Sequence, residues 1–203
     1  MTNNRSILIL IPVVLIAYLL GYSKREVVLI PKQDLNEVEK VAIDKYVQSS
    51  DFIYFYDYDC IYCAEFLPIL EQVYSSYKDD IDFRFINTKA RNSSIDSTLI
   101  KGAICSEKME YFFKYSKVVY NQKDSDGLVA ISDLPVLLNF SDKANDEFIS
   151  CLDSDSTQKI MRENELLLQI LNIPVTPSLV IGSNIFEGVI EYNFLSEIIE
   201  MGL

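Results

Sequence analysis

The sequence contains no histidine. That absence removes Ser-His-Asp and Cys-His catalysis and every His-ligated zinc site, so any chemistry must rest on Cys, Asp, Glu, Lys, Tyr or Ser. Tryptophan is also missing, and glycine and proline are scarce, six of each in 203 residues. Neither a low-complexity tract nor an internal repeat interrupts the chain, which excludes a disordered or repeat architecture. Basic residues are few as well. Three of the 18, Arg5, Lys24 and Arg25, precede Glu26 and leave 15 against 30 acidic residues in the remainder. A body of that charge repels phosphate backbones, so nucleic acid is not an expected partner. The acids are scattered among apolar residues and read as a solvated surface. With 49% hydrophobic residues, the length suits one domain with a sizeable core.

What the sequence does have begins at the N-terminus. After Arg5, the 16 residues Ile7 to Tyr22 are uncharged and apolar. That length lies between a signal-peptide core and a short membrane span, which needs about 17–25 residues. Gly21-Tyr22-Ser23 is a small-x-small triplet that would serve as a cleavage site, but neither Ala-x-Ala nor a lipobox cysteine follows. Residues 1–25 are read as a signal anchor, with a cleaved signal peptide as the alternative and a buried core helix as the plain one. Lys24 and Arg25 weakly oppose an outward-facing body under the positive-inside rule; the cysteines below outweigh them.

Gln33 to Ser49 has the 3.6-residue spacing of an amphipathic helix. Asp51-Phe-Ile-Tyr-Phe-Tyr-Asp57 is strand-like, and Phe66, Ile69, Leu70, Val73, Tyr74 and Tyr77 restore helical spacing from Ile61 to about Tyr77. Asp82 to Ile86 is a second strand, completing a βαβ unit. From about residue 92 to 171 only helical patterning follows: 97–120 as one helix, then 142–152 and 156–171, with Ser, Asp or Thr at plausible caps. A hairpin around Gly182-Ser-Asn184 and a final amphipathic helix close the chain. The predicted order is β-α-β, helices, β-β-α.

Four cysteines, Cys60, Cys63, Cys105 and Cys151, permit two disulfides in three pairings. Cys60 and Cys63 lie where the first strand ends and the first helix begins. There, unsatisfied backbone N–H groups and the positive end of the helix dipole favour a thiolate at Cys60. Cys63, one turn on, is placed to form a disulfide with it or to resolve a mixed disulfide. Half of a zinc site and a purely structural pair are the competing readings. Cys105 and Cys151 lie 42 and 46 residues further along and form no second close pair to complete a zinc site.

The stretch Asp57-Tyr-Asp-Cys60-Ile-Tyr-Cys63-Ala-Glu-Phe66 resembles the thioredoxin superfamily, in particular its DsbA-like branch of bacterial thiol:disulfide oxidoreductases. Pro68, five residues after the second cysteine, and Asn172-Ile-Pro-Val-Thr-Pro-Ser-Leu-Val-Ile-Gly-Ser-Asn-Ile-Phe-Glu-Gly188 extend the likeness, which runs from about Lys40 to the C-terminus. The resemblance implies an α/β, thioredoxin-like fold with a helical insertion, residues 26–203 forming that domain after the N-terminal hydrophobic segment. It implies Cys60 and Cys63 as the catalytic pair, Pro177 as a cis-proline, and Thr176, Pro177 and Tyr62 as substrate-binding residues, with Tyr58 a further apolar contact. An exposed Thr176 backbone would pair with an extended substrate as a short added strand. Pro174 reads as a trans turn proline.

By the same resemblance Cys105 and Cys151 form a second, non-catalytic disulfide; two buried reduced cysteines are the alternative. No cofactor or metal is called for. The implied partners are reduced or unfolded secreted proteins, a quinone-linked membrane re-oxidase, and the inner membrane through the anchor. The implied location is periplasmic or otherwise extracytoplasmic.

Departures are plain. Ile61 stands where this branch usually has proline, Val175 where glycine commonly precedes Thr-Pro, and the dipeptide lacks histidine. Asp57, Asp59 and Glu65 add negative charge, which raises a neighbouring thiol. A less extreme oxidant follows, within the roughly −270 to −120 mV spanned by known family types. Asp57 and Asp59 otherwise read as strand-end solvation. The rival functions are a reductase or isomerase of the same fold and a thioredoxin-fold binding module without catalysis.

Overall fold

The computed structural model describes residues 28–30, 51–88, 97–123, 130–182 and 184–201. The apolar run Ile7 to Tyr22, with the 1–25 anchor call, and the helix read at Gln33 to Ser49 lie outside them. Among the described residues no helix is long and apolar enough to cross a membrane.

A five-stranded sheet forms the centre. Its strands are β1 (Val28–Ile30), β2 (Asp51–Tyr56), β3 (Asp82–Asn87), β4 (Ser178–Ile181) and β5 (Asn184–Glu187), in the order β1-β5-β4-β2-β3. β2 pairs parallel with β3 and antiparallel with β4, and both the β4/β5 and β1/β5 pairs are antiparallel. Since β2 is central and covered on both faces, it can be apolar at every position. Phe52, Tyr54 and Tyr56 point into the larger core, while Ile53 and Phe55 point into the smaller one.

α1 (Ile61–Tyr77) follows β2 and buries Cys63, Phe66, Leu67, Leu70 and Val73, a stripe at helical spacing against the larger core. Pro68 lies inside this helix, on its exposed side, and cannot donate to the Ala64 carbonyl. Between β3 and β4 run α2 (Ser97–Lys108), α3 (Phe112–Lys123), a 3-10 turn at Ile131–Asp133, α4 (Leu134–Leu137), α5 (Asp142–Leu152) and α6 (Asp155–Leu171). α7 (Tyr192–Glu200) closes the chain against α1. Leu167 and Leu171 of α6 cover the smaller core, and residues of α2, α3 and α5 enter the larger one.

One reading of the sequence is corrected here, and one strand that it did not anticipate is added. The continuous helix over 97–120 breaks at Glu110, which takes a left-handed φ of 62°. The Tyr111 N–H then reaches back to the Ser106 carbonyl at 2.6 Å and the Glu110 N–H to Glu107 at 3.0 Å, closing α2 as a Schellman motif. β1 had no expectation at all; it is a strand because β5 pairs with it, Leu29 opposite Phe186. α2 and α3 then pack closely because residue 102 is glycine: a Cβ there would sit 2.4 Å from the Tyr115 hydroxyl.

Candidate active site

The turn between β2 and α1 is built by Asp57. Its side chain accepts the Asp59 N–H at 2.8 Å, and its carbonyl accepts the Cys60 N–H at 3.1 Å and the Tyr120 hydroxyl at 3.2 Å. Only 2% of Asp57 is exposed, so it is a buried turn former, not the solvated strand end expected. Asp59 is exposed.

The turn delivers Cys60 to the N-cap of α1 with extended backbone, φ −92° and ψ 111°. Its sulfur accepts the Cys63 N–H at 3.2 Å, the role a Ser or Asp oxygen ordinarily fills at this position. Its thiol donates to the Thr176 carbonyl, also at 3.2 Å, across 116 residues of sequence. The Thr176-Pro177 bond is cis, and Pro177 itself is buried. Both cysteines are free thiols, Cys60 half-buried and Cys63 buried.

Those contacts make the two thiols unlike. The Cys60 thiol is pulled down to about 6, chiefly by a hydrogen bond from the Cys63 thiol, with help from the Thr176 side chain and the N–H groups of Cys63 and Tyr62 against the opposing effect of partial burial. Burial, and then the bond it gives to Cys60, pushes the Cys63 thiol well above its ordinary value. The carboxylates of Asp57, Asp59 and Glu65 were expected to raise this thiol, yet its net shift is downward. Directed hydrogen bonds at contact distance outweigh charges whose field is screened by water.

Around Cys60 three apolar side chains remain exposed: Ile61 (68%), Tyr62 (46%) and Val175 (48%). Ile61 and Tyr62 follow Cys60 directly, and Val175 precedes the Thr176 that touches it. Tyr58 does not join them. It is 1% exposed, bonded to Ser116 at 3.1 Å and packed against Tyr56 and Tyr120, so it cannot meet a substrate.

Cys105 of α2 and Cys151 of α5 are joined by a disulfide with 5.8 Å between Cα atoms. The buried Thr157 hydroxyl lies 3.6 Å from one sulfur and 3.3 Å from the other, and also accepts from Lys108 at 3.2 Å. A separate cleft of about 500 Å³ opens between β3, α2 and α6, walled by Ile86, Ile104, Ile160 and Leu167, and shares no lining residue with the Cys60 site. Sequence reasoning missed Tyr120 and Ser116, which fix the turn from α3; nothing in their spacing marks them.

The five-stranded sheet carries a Cys-x-x-Cys pair at the end of its central strand, and the described residues between β3 and β4 are helical apart from their turns. The chain belongs to the thioredoxin family, whose model matches residues 48–201. Its fold is similar to that of the thiol-disulfide exchange protein α-DsbA2 of Wolbachia pipientis, with a TM-score of 0.57 and 20% identity over 81% of this chain and 96% of that one. It is also similar to the DsbA disulfide interchange protein of Klebsiella pneumoniae (0.54 and 12%, covering 70% and 77%). The catalytic domain of Proteus mirabilis ScsC is a third neighbour (0.54 and 20%, covering 79% and 96%). No curated protein matches in sequence.

Proposed function

We propose that the protein is an extracytoplasmic thiol:disulfide oxidoreductase that donates a Cys60–Cys63 disulfide to reduced, unfolded proteins. The observation that carries this reading is the asymmetry of the pair: a half-exposed Cys60 whose thiol lies near 6, backed by a buried Cys63 whose thiol lies far higher. Such a pair has one entry point. A substrate thiolate attacks Cys60, Cys63 leaves, and a second substrate thiol then displaces Cys60 as a thiolate. The substrate dithiol loses two electrons and the pair gains them.

The Cys60 value also supports the direction. Reactive cysteines of this kind lie near about 7 in thioredoxin and about 3.5 in DsbA, and a stabilised thiolate makes the disulfide the better oxidant. A value near 6 favours an oxidant of intermediate strength. Thr176 offers its backbone to an extended chain, and Ile61, Tyr62 and Val175 offer apolar surface that an unfolded segment would cover. We assign the N-terminal apolar run to membrane attachment and re-oxidation to a quinone-linked membrane partner.

The test is the reduction potential of the full chain, carrying Cys105→Ala and Cys151→Ala, by equilibration with glutathione, together with disulfide transfer to a reduced unfolded protein. A potential well above thioredoxin's (about −270 mV) with transfer supports the oxidase. One at or below it would make the protein a reductant.

A further inference from the structure

The register of the sheet fixes where the N-terminal segment joins the body. Val28 of β1 lies opposite Glu187, Glu187 opposite Ser178, and Ser178 opposite Phe55 of β2. Each of those three pairings is antiparallel, so β1 runs against β2. Its first residue therefore stands at the end of the sheet where β2 finishes and turns toward Cys60, and the chain before Val28 leaves the body from that end. Sideways, three strand spacings separate β1 from β2, about 14 Å. Only Ser23 to Val27 lie between Val28 and Tyr22, the last residue of the apolar run. Fully extended, that link spans roughly 20 Å. The 17-residue α1, which runs from Cys60 to the far end of the body, is about 25 Å long. With the far end against a membrane, Val28 would stand about a helix length above it, beyond the reach of the link.

The two ends also differ in chemistry. Beside Cys60 the exposed side chains Ile61, Tyr62 and Val175 are apolar, and Phe194, in the first turn of α7, is 45% exposed. That turn belongs to the same end, because β5 leads into it through Gly188, whose N–H donates to the Pro177 carbonyl at 2.8 Å. At the far end α1 stops at Lys78, and Lys78, Asp79 and Asp80 are all exposed. Aliphatic and aromatic side chains suit the interfacial layer of a bilayer, whereas a run of charges suits water. We propose that the anchored protein holds its active site toward the bilayer, so that Cys60 exchanges with cysteines that a membrane-embedded polypeptide presents at the membrane surface. The inference rests on the assignment of Ile7 to Tyr22 to membrane attachment, and adds the face that the tether turns to the membrane. In each exchange the partner's dithiol gives two electrons and two protons to the Cys60–Cys63 disulfide. The tether confines Cys60 to a thin layer above the bilayer, where a second membrane-held cysteine meets it at high effective concentration. Asp59 and Glu191 are exposed at this end too, so the face suits a zwitterionic surface better than an anionic one.

The experiment places the full chain in phosphatidylcholine vesicles whose headgroups carry a nitroxide quencher. One sample bears a fluorophore on Cys60 in a Cys63→Ala background; the other bears it at Asp79→Cys with Cys60→Ser and Cys63→Ala. The Cys60 label is expected to be quenched at least about threefold more strongly, since about 25 Å of helix separates the two positions. A second arm keeps the Cys pair intact and measures disulfide transfer to a reduced single-span peptide, in the same vesicles, that carries two cysteines just outside the bilayer. Inserting about 40 Gly and Ser residues after Val27, a tether reaching roughly 35 Å, is expected to slow that transfer about tenfold while reduction by dithiothreitol stays within about twofold. Protein that does not float with the vesicles overturns the membrane attachment and the proposal together. Equal quenching at the two positions, or stronger quenching at residue 79, in protein that does float overturns the proposal and leaves the attachment standing. Transfer to the peptide that is indifferent to the insertion also overturns it. The quenching arm reads no disulfide chemistry, so it stands whether or not the protein oxidises other proteins.

Discussion

Cys60 and Cys63 lie three residues apart at a strand-to-helix junction, whereas Cys105 and Cys151 lie 46 apart on two helices of the insertion. The first pair is held by the backbone of a single turn and opens to solvent on one side. Four hydrogen-bond contributions converge on its outer sulfur, from both sides of the fold. The second pair ties α2 to α5, with Cys105 fully buried and Thr157 against both sulfurs. In the first pair the surroundings make the two sulfurs chemically different, which reaction requires. In the second the bond spans a long loop, which stability requires.

The sharpest test of this contrast removes each pair in turn. Cys60→Ser is expected to abolish disulfide transfer to a reduced substrate protein and leave the unfolding midpoint nearly unchanged. Residual transfer above background in that variant would place the reactive thiol elsewhere.

Removing the other pair should do the opposite. Closing a loop of this length is worth about 4 kcal/mol in the chain-entropy picture, with measured values typically 2–4. Cys105→Ala with Cys151→Ala should therefore lower the urea midpoint by an amount equivalent to roughly 2–4 kcal/mol. The rate of reduction at Cys60–Cys63 should stay within about twofold. A large loss of rate with stability intact would mean that the second pair is coupled to the first.

The third test is pH, in the Cys105→Ala, Cys151→Ala background so that only one pair responds to reductant. The folded Cys60 thiol, near 6, lies below its unfolded value of 9.0. Its contribution to the stability of the reduced form is complete above pH 9, declines as pH falls from 9 to 6, and is gone below 6. Cys63 has the opposite sign: its folded thiol lies above 9.0, so it subtracts stability only as pH rises past 9. Reduced protein should gain on oxidised protein between pH 6 and 9, read as the difference between their denaturation midpoints. A difference that is flat across that window would remove the low Cys60 value, and with it the argument for an oxidant.

The same contrast separates what periodicity can reveal from what it cannot. The Cys pair, α1, β2, β3, the β4/β5 hairpin and α5 to α7 are local patterns, and each stands in the sequence within its own stretch. β1 does not, because three apolar residues before Pro31 become a strand only when β5 lies beside them. The end of α2 is hidden because a glutamate takes the left-handed position where glycine would have been a signal. Within the site, Tyr54 and Tyr56 of β2 and Tyr58 in the turn after it look alike, so the sequence carries no sign of which meets Phe66 and which meets Ser116. Thr176, 116 residues from Cys60, was legible only through resemblance to a family.

The smallest expected effect concerns the acids that first suggested a raised Cys60 pKa. Asp59 and Glu65 are exposed, one immediately before Cys60 and the other in the second turn of α1. At such separations through water a unit charge acts weakly and is halved or more by physiological salt. Asp59→Asn and Glu65→Gln should each lower the midpoint of Cys60 alkylation by about 0.2–0.4 pH at low ionic strength, an effect that fades at high salt. Asp59→Asn leaves the backbone N–H that binds Asp57 in place, so the turn that delivers Cys60 survives the change. A fall of a full pH unit would mean that charge, and not the hydrogen bonds from Cys63 and Thr176, sets the reactivity of the outer sulfur. The first pair would then differ from the second in its field more than in its contacts.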